Sequence, residues 1–358
     1  MKIGIVSPYA LPEKGAASMR VDSFQKHFLL NNHETKILTP FRDRGFLDKK
    51  VIRYKSFKEL KKELKNFQYI IISCPSFYTA FRIIPFLKLK KIPFVLDFRD
   101  LAENSQRRAN ILFQLVSVKL ASKVIVVTEY MKNYFVKKYK INPKKIEVVS
   151  NGVDRDIFYP TKNRIKTRKE LKISARDSVL IYEGIIGDHG LREFFENLTK
   201  DILVENNIKI ILAVIVGETE NKTKVVLENF EKMLKKRRLR EFVIIIKNSS
   251  PDKLREYISA SDFGLAPIPS DINNMYRVPI KAYDYVACGI PVLAKGPVNG
   301  ELEKFLKGNN YGYFSSNWKD LIKKMAKISK SKIKINKKNI ETFDRKTSAK
   351  KLLAHILK

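Results

Sequence analysis

Short β-branched runs alternate with longer helical patterns along the whole chain. The runs are KIGIVSP, TKILTP, YIIISC, FVLDFR, KVIVVTE and IEVVSN in the first part, then SVLIYEG, IKIILAVIVG, EFVIIIKN, DFGLAPI and PVLAKG in the second. A strand that is apolar along its whole length must be covered on both faces. Strands separated by helices are joined by crossovers, so the pattern predicts parallel sheets with helices on each side. Two such sets predict an α/β chain of two doubly wound, Rossmann-like domains. The length of 358 residues agrees, because one hydrophobic core seldom extends so far.

The polar, Lys/Arg-rich stretch 156–168, with Pro160 inside it, reads as the seam between them. The expected division is 1–160 for an N-terminal domain and 161–342 for a C-terminal domain. Residues 343–358, FDRKTSAKKLLAHILK, have the periodicity of a terminal amphipathic helix, expected to pack back on the N-terminal domain. Ligands of open parallel sheets bind beyond the carboxyl ends of the strands, so the chemistry is expected in a cleft that both domains face.

Several function classes can be set aside. Cys74 and Cys288 stand in separate apolar neighbourhoods with no paired spacing, which argues against a disulfide framework or a zinc site and fits a reducing cytosol. The start, MKIGIVSPYA, enters a strand directly, with no signal-peptide pattern, and the longest apolar runs fall far short of the ~20 residues that span a bilayer. A soluble or membrane-peripheral protein is expected. The net charge of +34 draws nucleic acid, anionic lipid or phosphorylated substrates, yet its basic runs are scattered and no nucleic-acid-binding module is recognisable.

The segment VPIKAYDYVACGIPVLAKG, 278–296, carries the most chemistry. Pro279 suits a first helical turn and Gly289 with Pro291 a stop, so a helix is expected from about 279 to 288. Lys281 and Asp284 are three apart near its start, on one face. A helix N-terminus with its free N–H groups and positive dipole end holds phosphate, and Lys281 adds a full charge there. On local pattern alone the two also read as a surface ion pair worth about 0.2–0.5 kcal/mol.

Read with the rest of the chain, the segment resembles the signature P-x-K-x-x-E-Y-x-A-x-G-x-P-V of the GT-B glycosyltransferases of family 4. The matching positions are Pro279, Lys281, Asp284, Tyr285, Ala287, Gly289, Pro291 and Val292. SNGVDRDIF (150–158), SPYALPEKGAASMR (7–20), NNHETKILTP (31–40), VLDFRD (95–100) and ISASDFGLAPI (258–268) resemble further motifs of that family in order.

The resemblance implies a metal-independent, retaining hexosyltransferase. It would move a sugar from a UDP- or GDP-linked donor to a polysaccharide or lipid-linked glycan acceptor, with no other cofactor. It also implies that Lys281 and the helix N-terminus hold the donor diphosphate and that Asp284 stands for the glutamate that grips the ribose. Gly15 and Ala16 would let the first-strand loop approach the phosphates, and Asn248 would contact the base. Gly184 opens the family's G-R-x-x-x-x-K-G loop, where Ile185 replaces the arginine and His189 the lysine. A bound diphosphate would favour the protonated form of that imidazole. Tyr276 replaces the first of two acidic residues, and Gly217, Glu218 and Thr219 replace a G-x-G.

Arg99 and Asp100, at the end of a strand, and Arg20, after the first loop, are the acceptor-side candidates. No general base is named, because in this type of reaction the departing phosphate oxygen can take the acceptor proton. Asp154-Arg155-Asp156 has D-x-D spacing but no metal-site context. The segments 77–91 and 107–123 combine apolar and basic residues, as either a core-facing helix or one lying on an anionic membrane would. The rival expectations are a catalytically degenerate homologue acting as a binding or scaffold subunit, a nucleotide-sugar epimerase on the same plan, and a charge-driven nucleic-acid binder.

Overall fold

The computed structural model describes residues 1–11, 16–41, 48–74, 77–104, 107–186, 190–216, 221–328, 335–336 and 339–357. The chain divides into two compact units, one of Met1–Gly152 with Thr342–Lys358 and the other of Val153–Glu341.

The first unit is built on β1 (Lys2–Val6), β2 (Glu34–Pro40), β3 (Val51–Tyr54), β4 (Tyr69–Cys74), β5 (Phe94–Phe98), β6 (Lys123–Val126) and β7 (Ile146–Val148). They form one sheet in the order β3-β2-β1-β4-β5-β6-β7, with every neighbouring pair parallel. Helices α1 (Ala16–Leu30), α2 (Phe57–Leu64), α3 (Phe77–Leu89), α4 (Arg108–Leu120) and α5 (Glu129–Tyr139) connect them. On one face Ile3, Ile5, Ile71, Val95 and Ile125 share a core with Val21, Phe24 and Phe28 of α1. Side chains alternate across a strand, so one set of residues builds this face and the set between them builds the other.

The second unit holds β8 (Ser178–Gly184), β9 (Ile208–Val214), β10 (Val243–Lys247), β11 (Phe263–Leu265), β12 (Val292–Lys295) and β13 (Gly312–Ser315). Its sheet runs β10-β9-β8-β11-β12-β13, again parallel throughout. Its helices are α6 (Arg164–Glu170), α7 (Leu191–Asn197), α8 (Lys200–Glu205), α9 (Asn221–Lys236), α10 (Pro251–Ala260), α11 (Ile280–Ala287), α12 (Glu301–Asn309) and α13 (Trp318–Ile328). The core joins Leu180, Tyr182 and Leu212 of the sheet to Phe194, Phe195 and Trp318 of the helices. Strands following β8 are laid down first on one side of it and then on the other. The sheet therefore reverses its order between β8 and β11, the position at which open α/β sheets bind ligands.

The strands expected from the sequence form. β3 and β13 do so as well, although VIRY and GYFS are short and lack a continuous apolar run; both sit at sheet edges and are only partly buried. The final helix α14 (Arg345–Leu357) belongs to the first unit, where Ala349, Leu352 and Ile356 join the core beneath α1.

The stretch expected as a linker carries an ion-pair network of its own. Arg164 and Arg168 both grip Asp262, at 2.5 and 2.7 Å, while Asp262 also accepts the Val179 N–H at 2.8 Å. These charges brace α6 against the second unit, and the division between the units falls after Gly152. No described helix is long and apolar enough to cross a membrane.

One close approach fixes α11 on the sheet. A Cβ on Gly264 would lie 2.1 Å from Cδ2 of Tyr285, so the tyrosine ring rests directly on the backbone of β11. Gly264→Ala is expected to lower stability by about 1–3 kcal/mol through overpacking, read as a fall in thermal midpoint; an unchanged midpoint would show that the ring can step aside.

Candidate functional site

The sheet reversal and α11 bring together the best-defined group of polar residues in the second unit. β8 is buried from Ser178 through Glu183 and ends on Gly184, whose φ of +114° suits glycine. α11 begins after Pro279, and no side chain caps its N-terminus. Lys281, in its first turn, reaches back over the end of β8. Its Nζ lies 3.6 Å from the centroid of the Tyr182 ring and would be 3.5 Å from a Cβ on Gly184. Aromatic face and bare backbone thus hold an ammonium group at the switch point, a favourable cation–π arrangement.

Asp284 takes a different direction from the one its spacing suggests. It is only 4% exposed, and its carboxyl neighbours that of Glu183, itself 5% exposed. Burial chiefly, and then the negative charge of Asp284, push Glu183 well above the ordinary carboxylate range, with Lys281 opposing them. Tyr285 locks the same corner: its hydroxyl accepts the Glu183 N–H at 3.0 Å and donates to the Leu265 carbonyl at 3.5 Å. A surface Lys281–Asp284 ion pair is therefore not what forms. Sequence reading missed Glu183, whose one available signal was a carboxylate ending an otherwise apolar strand.

The remaining donor-side candidates are dispersed. Asn248 follows β10 with φ +52°; its N–H donates to the Val214 carbonyl at 2.9 Å and its Oδ1 accepts the Val216 N–H at 3.0 Å. It fastens the segment after β9 and keeps its amide N–H groups to offer. Gly15, His189 and the Gly217-Glu218-Thr219 segment lie outside the described residues; Ala16 opens α1. Tyr276 is 1% exposed and Ile185 is 47% exposed.

On the first unit, Arg20, expected as an acceptor-side candidate, is held as an internal clamp. It is 2% exposed and bidentate with Asp97, Nε to Oδ2 at 3.0 Å and Nη2 to Oδ1 at 2.9 Å. It also donates to the carbonyls of Val149 and Ser150 at 2.9 and 2.7 Å. Planar, five-donor geometry lets one guanidinium tie the end of β5 to the chain leaving β7. Arg99 and Asp100 follow β5 and are partly buried; Nε of Arg99 has no partner among the described residues. Asp154 Oδ1 accepts the Asp156 N–H at 3.1 Å, a local turn that accounts for that pair of carboxylates. Among the described residues no three His, Cys, Asp or Glu side chains converge as a metal-ligand set.

The model of Glycosyltransferase Family 4 matches residues 20–157, and that of glycosyl transferases group 1 matches residues 163–345, just over half of the chain. The chain belongs to the group 1 glycosyltransferases. The family's two-domain GT-B plan recurs in solved structures that align with the whole chain. Anabaena Alr3699/HepE, in complex with UDP and glucose, is 15% identical with a TM-score of 0.79, over 100% of this chain and 99% of that one. Sucrose-phosphate synthase from Thermosynechococcus elongatus is 14% identical with a TM-score of 0.74, at the same coverage. UDP-GlcNAc 2-epimerase from Methanocaldococcus jannaschii is 13% identical with a TM-score of 0.63, again over 100% and 99%. Fold alone thus does not separate transferase from epimerase; membership of the group 1 family does. No curated protein matches the chain in sequence.

Proposed function

We propose that this group 1 glycosyltransferase transfers a hexose, with retention and without a metal, from a nucleoside-diphosphate donor to a glycan or lipid-linked acceptor. The observation that carries the reading is the Lys281 ammonium poised over Tyr182 and beside Gly184, at the switch point and at the uncapped N-terminus of α11. Charge that grows on a departing diphosphate would meet a full cation and a helix dipole there, held in place before the reaction begins. UDP is the first nucleotide to test, because a structural neighbour binds UDP and glucose. The reading needs no further cofactor. Arg99 and Asp100 remain the acceptor-side residues.

The acceptor reading includes work at the cytoplasmic surface of a membrane. Helices α3 and α4 bury part of their aromatic residues in each other, with Phe81 and Phe113 stacked at 4.6 Å between ring centroids. They leave Tyr78, Leu89 and Leu112 exposed near Arg82, Lys88 and Arg108. Exposed apolar residues interleaved with cations suit an anionic lipid surface.

A donor screen with UDP-, GDP- and ADP-sugars, a membrane extract as acceptor source and product mass as the readout tests the proposal. A sugar-sized mass gain that persists in EDTA is expected. Nucleotide binding without any product would favour the second reading, a non-catalytic subunit, which Ile185 motivates by exposing an apolar side chain where the family places an arginine.

A further inference from the structure

We infer that Glu183 is a positioning residue: it carries the proton of a buried Glu183–Asp284 carboxyl pair and so holds Asp284 in place for the donor. The inference rests on the donor reading of this site for its ligand, but not for its proton. Two carboxylates offer acceptors alone, so neighbouring buried carboxyls can bond to each other only when one of them holds a proton. Both groups are more than nine-tenths buried, and Oε1 of Glu183 meets no donor among the described residues. A single shared proton satisfies it.

The placement makes the proton useful. Glu183 is the last side chain before Gly184, and Asp284 lies one turn beyond Lys281. Lys281 sits close enough to the pair to act on the charge of Glu183. Asp284 is a methylene shorter than the residue it replaces in the family signature. A carboxylic acid behind it supplies a fixed donor that sets the direction of its carboxylate. If the proton is lost, two anions share a buried site, and their repulsion turns Asp284 out of position.

The groups acting on or beside Glu183 are Lys281, Asp284 and Tyr285 of α11 and Cys288 just after it, with Arg255 of α10 acting on Cys288. Burial pushes both the Tyr285 hydroxyl and the Cys288 thiol above their ordinary values, so neither titrates near neutral pH. Glu183 binds a proton in the folded state at pH values where the unfolded chain has released it. Its contribution therefore makes the fold most stable below the ordinary carboxylate range and less stable as pH rises from there toward its folded pKa.

Glu183→Gln retains a donor for Asp284 but cannot ionise. Its thermal midpoint relative to the natural protein is expected to rise progressively as pH climbs above the ordinary carboxylate range, by several degrees. Both proteins carry the same remaining titratable groups, His189 included, so the difference isolates the pair. A gap that stays constant with pH overturns the inference, whether or not any nucleotide binds. In titrations with UDP, Glu183→Leu, which has no donor, is expected to bind about tenfold more weakly than Glu183→Gln. Equal affinities of the two variants would overturn the positioning role. Failure of the natural protein to bind UDP, GDP or ADP would instead count against the donor reading, leaving the stability arm to decide the proton.

Discussion

Asp97→Ala is expected to destabilise the first unit by about 3–5 kcal/mol, the typical cost of removing one partner from a buried ion pair. Arg20 and Asp97 are 2% and 0% exposed, and the substitution would leave a buried guanidinium with no carboxylate to meet it. The carbonyls of Val149 and Ser150 would still accept two of its hydrogen bonds, but dipoles do not neutralise a charge taken out of water. Domains are commonly stable by about 5–15 kcal/mol, so the loss is a large share of the total. It should appear as a fall of roughly 6–20 °C in the thermal midpoint of this unit. Arg20→Met combined with Asp97→Leu should recover much of the fall, because two apolar side chains leave no charge behind. A single Asp97→Ala protein that melts with the natural one would refute the clamp.

That pair also marks where the sequence stops being legible. Arg20 and Asp97 are 77 residues apart. An arginine following a loop reads as a ligand-binding residue until the sheet sets β5 beside α1. Glu183 and Asp284 pose the same difficulty, since nothing local pairs the end of β8 with the first turns of α11. A spacing of three put Lys281 and Asp284 on one face, yet burial turned the carboxylate towards β8 and left the lysine over Tyr182. Local rules give the face of a helix but not what lies beneath it.

The order of elements was far easier to read. Fully buried parallel strands are written as continuous β-branched runs, and YIIISC, FVLDF and SVLIYE emerge as expected. The edge strands β3 and β13 escaped because a strand paired on one side and only partly covered needs no such run. The stretch read as the seam shows a related effect. A Lys/Arg-rich stretch with a proline reads as a linker, but Arg164 and Arg168 are committed to Asp262, far along the chain. The position of Lys281, by contrast, was visible from the start, because Pro279 marks where a helix begins and Gly289 where it ends, which puts the lysine in the first turn.

Lys281→Ala is expected to weaken binding of a nucleoside diphosphate by about ten- to a hundredfold, the range for losing one charge-assisted hydrogen bond to a phosphate. The loss should be selective. Lys281 lies beside Gly184 and not near Asn248 in the contacts it makes, so a nucleoside without phosphates should bind the variant and the natural protein alike. Fold stability should change little, because a half-buried lysine over an aromatic ring contributes about 0.5–2 kcal/mol. Raising the salt concentration should narrow the difference between the two proteins, as expected for an interaction with a partly exposed charge.

Isothermal titration of UDP, GDP and ADP, and of the matching nucleosides, into the natural protein and Lys281→Ala is the most direct test of the central claim that this lysine holds the donor diphosphate. Saturable binding of at least one diphosphate, lost selectively in the variant while nucleoside binding is kept, is the predicted result. Equal losses for diphosphate and nucleoside, or no binding of any nucleotide to the natural protein, would contradict it.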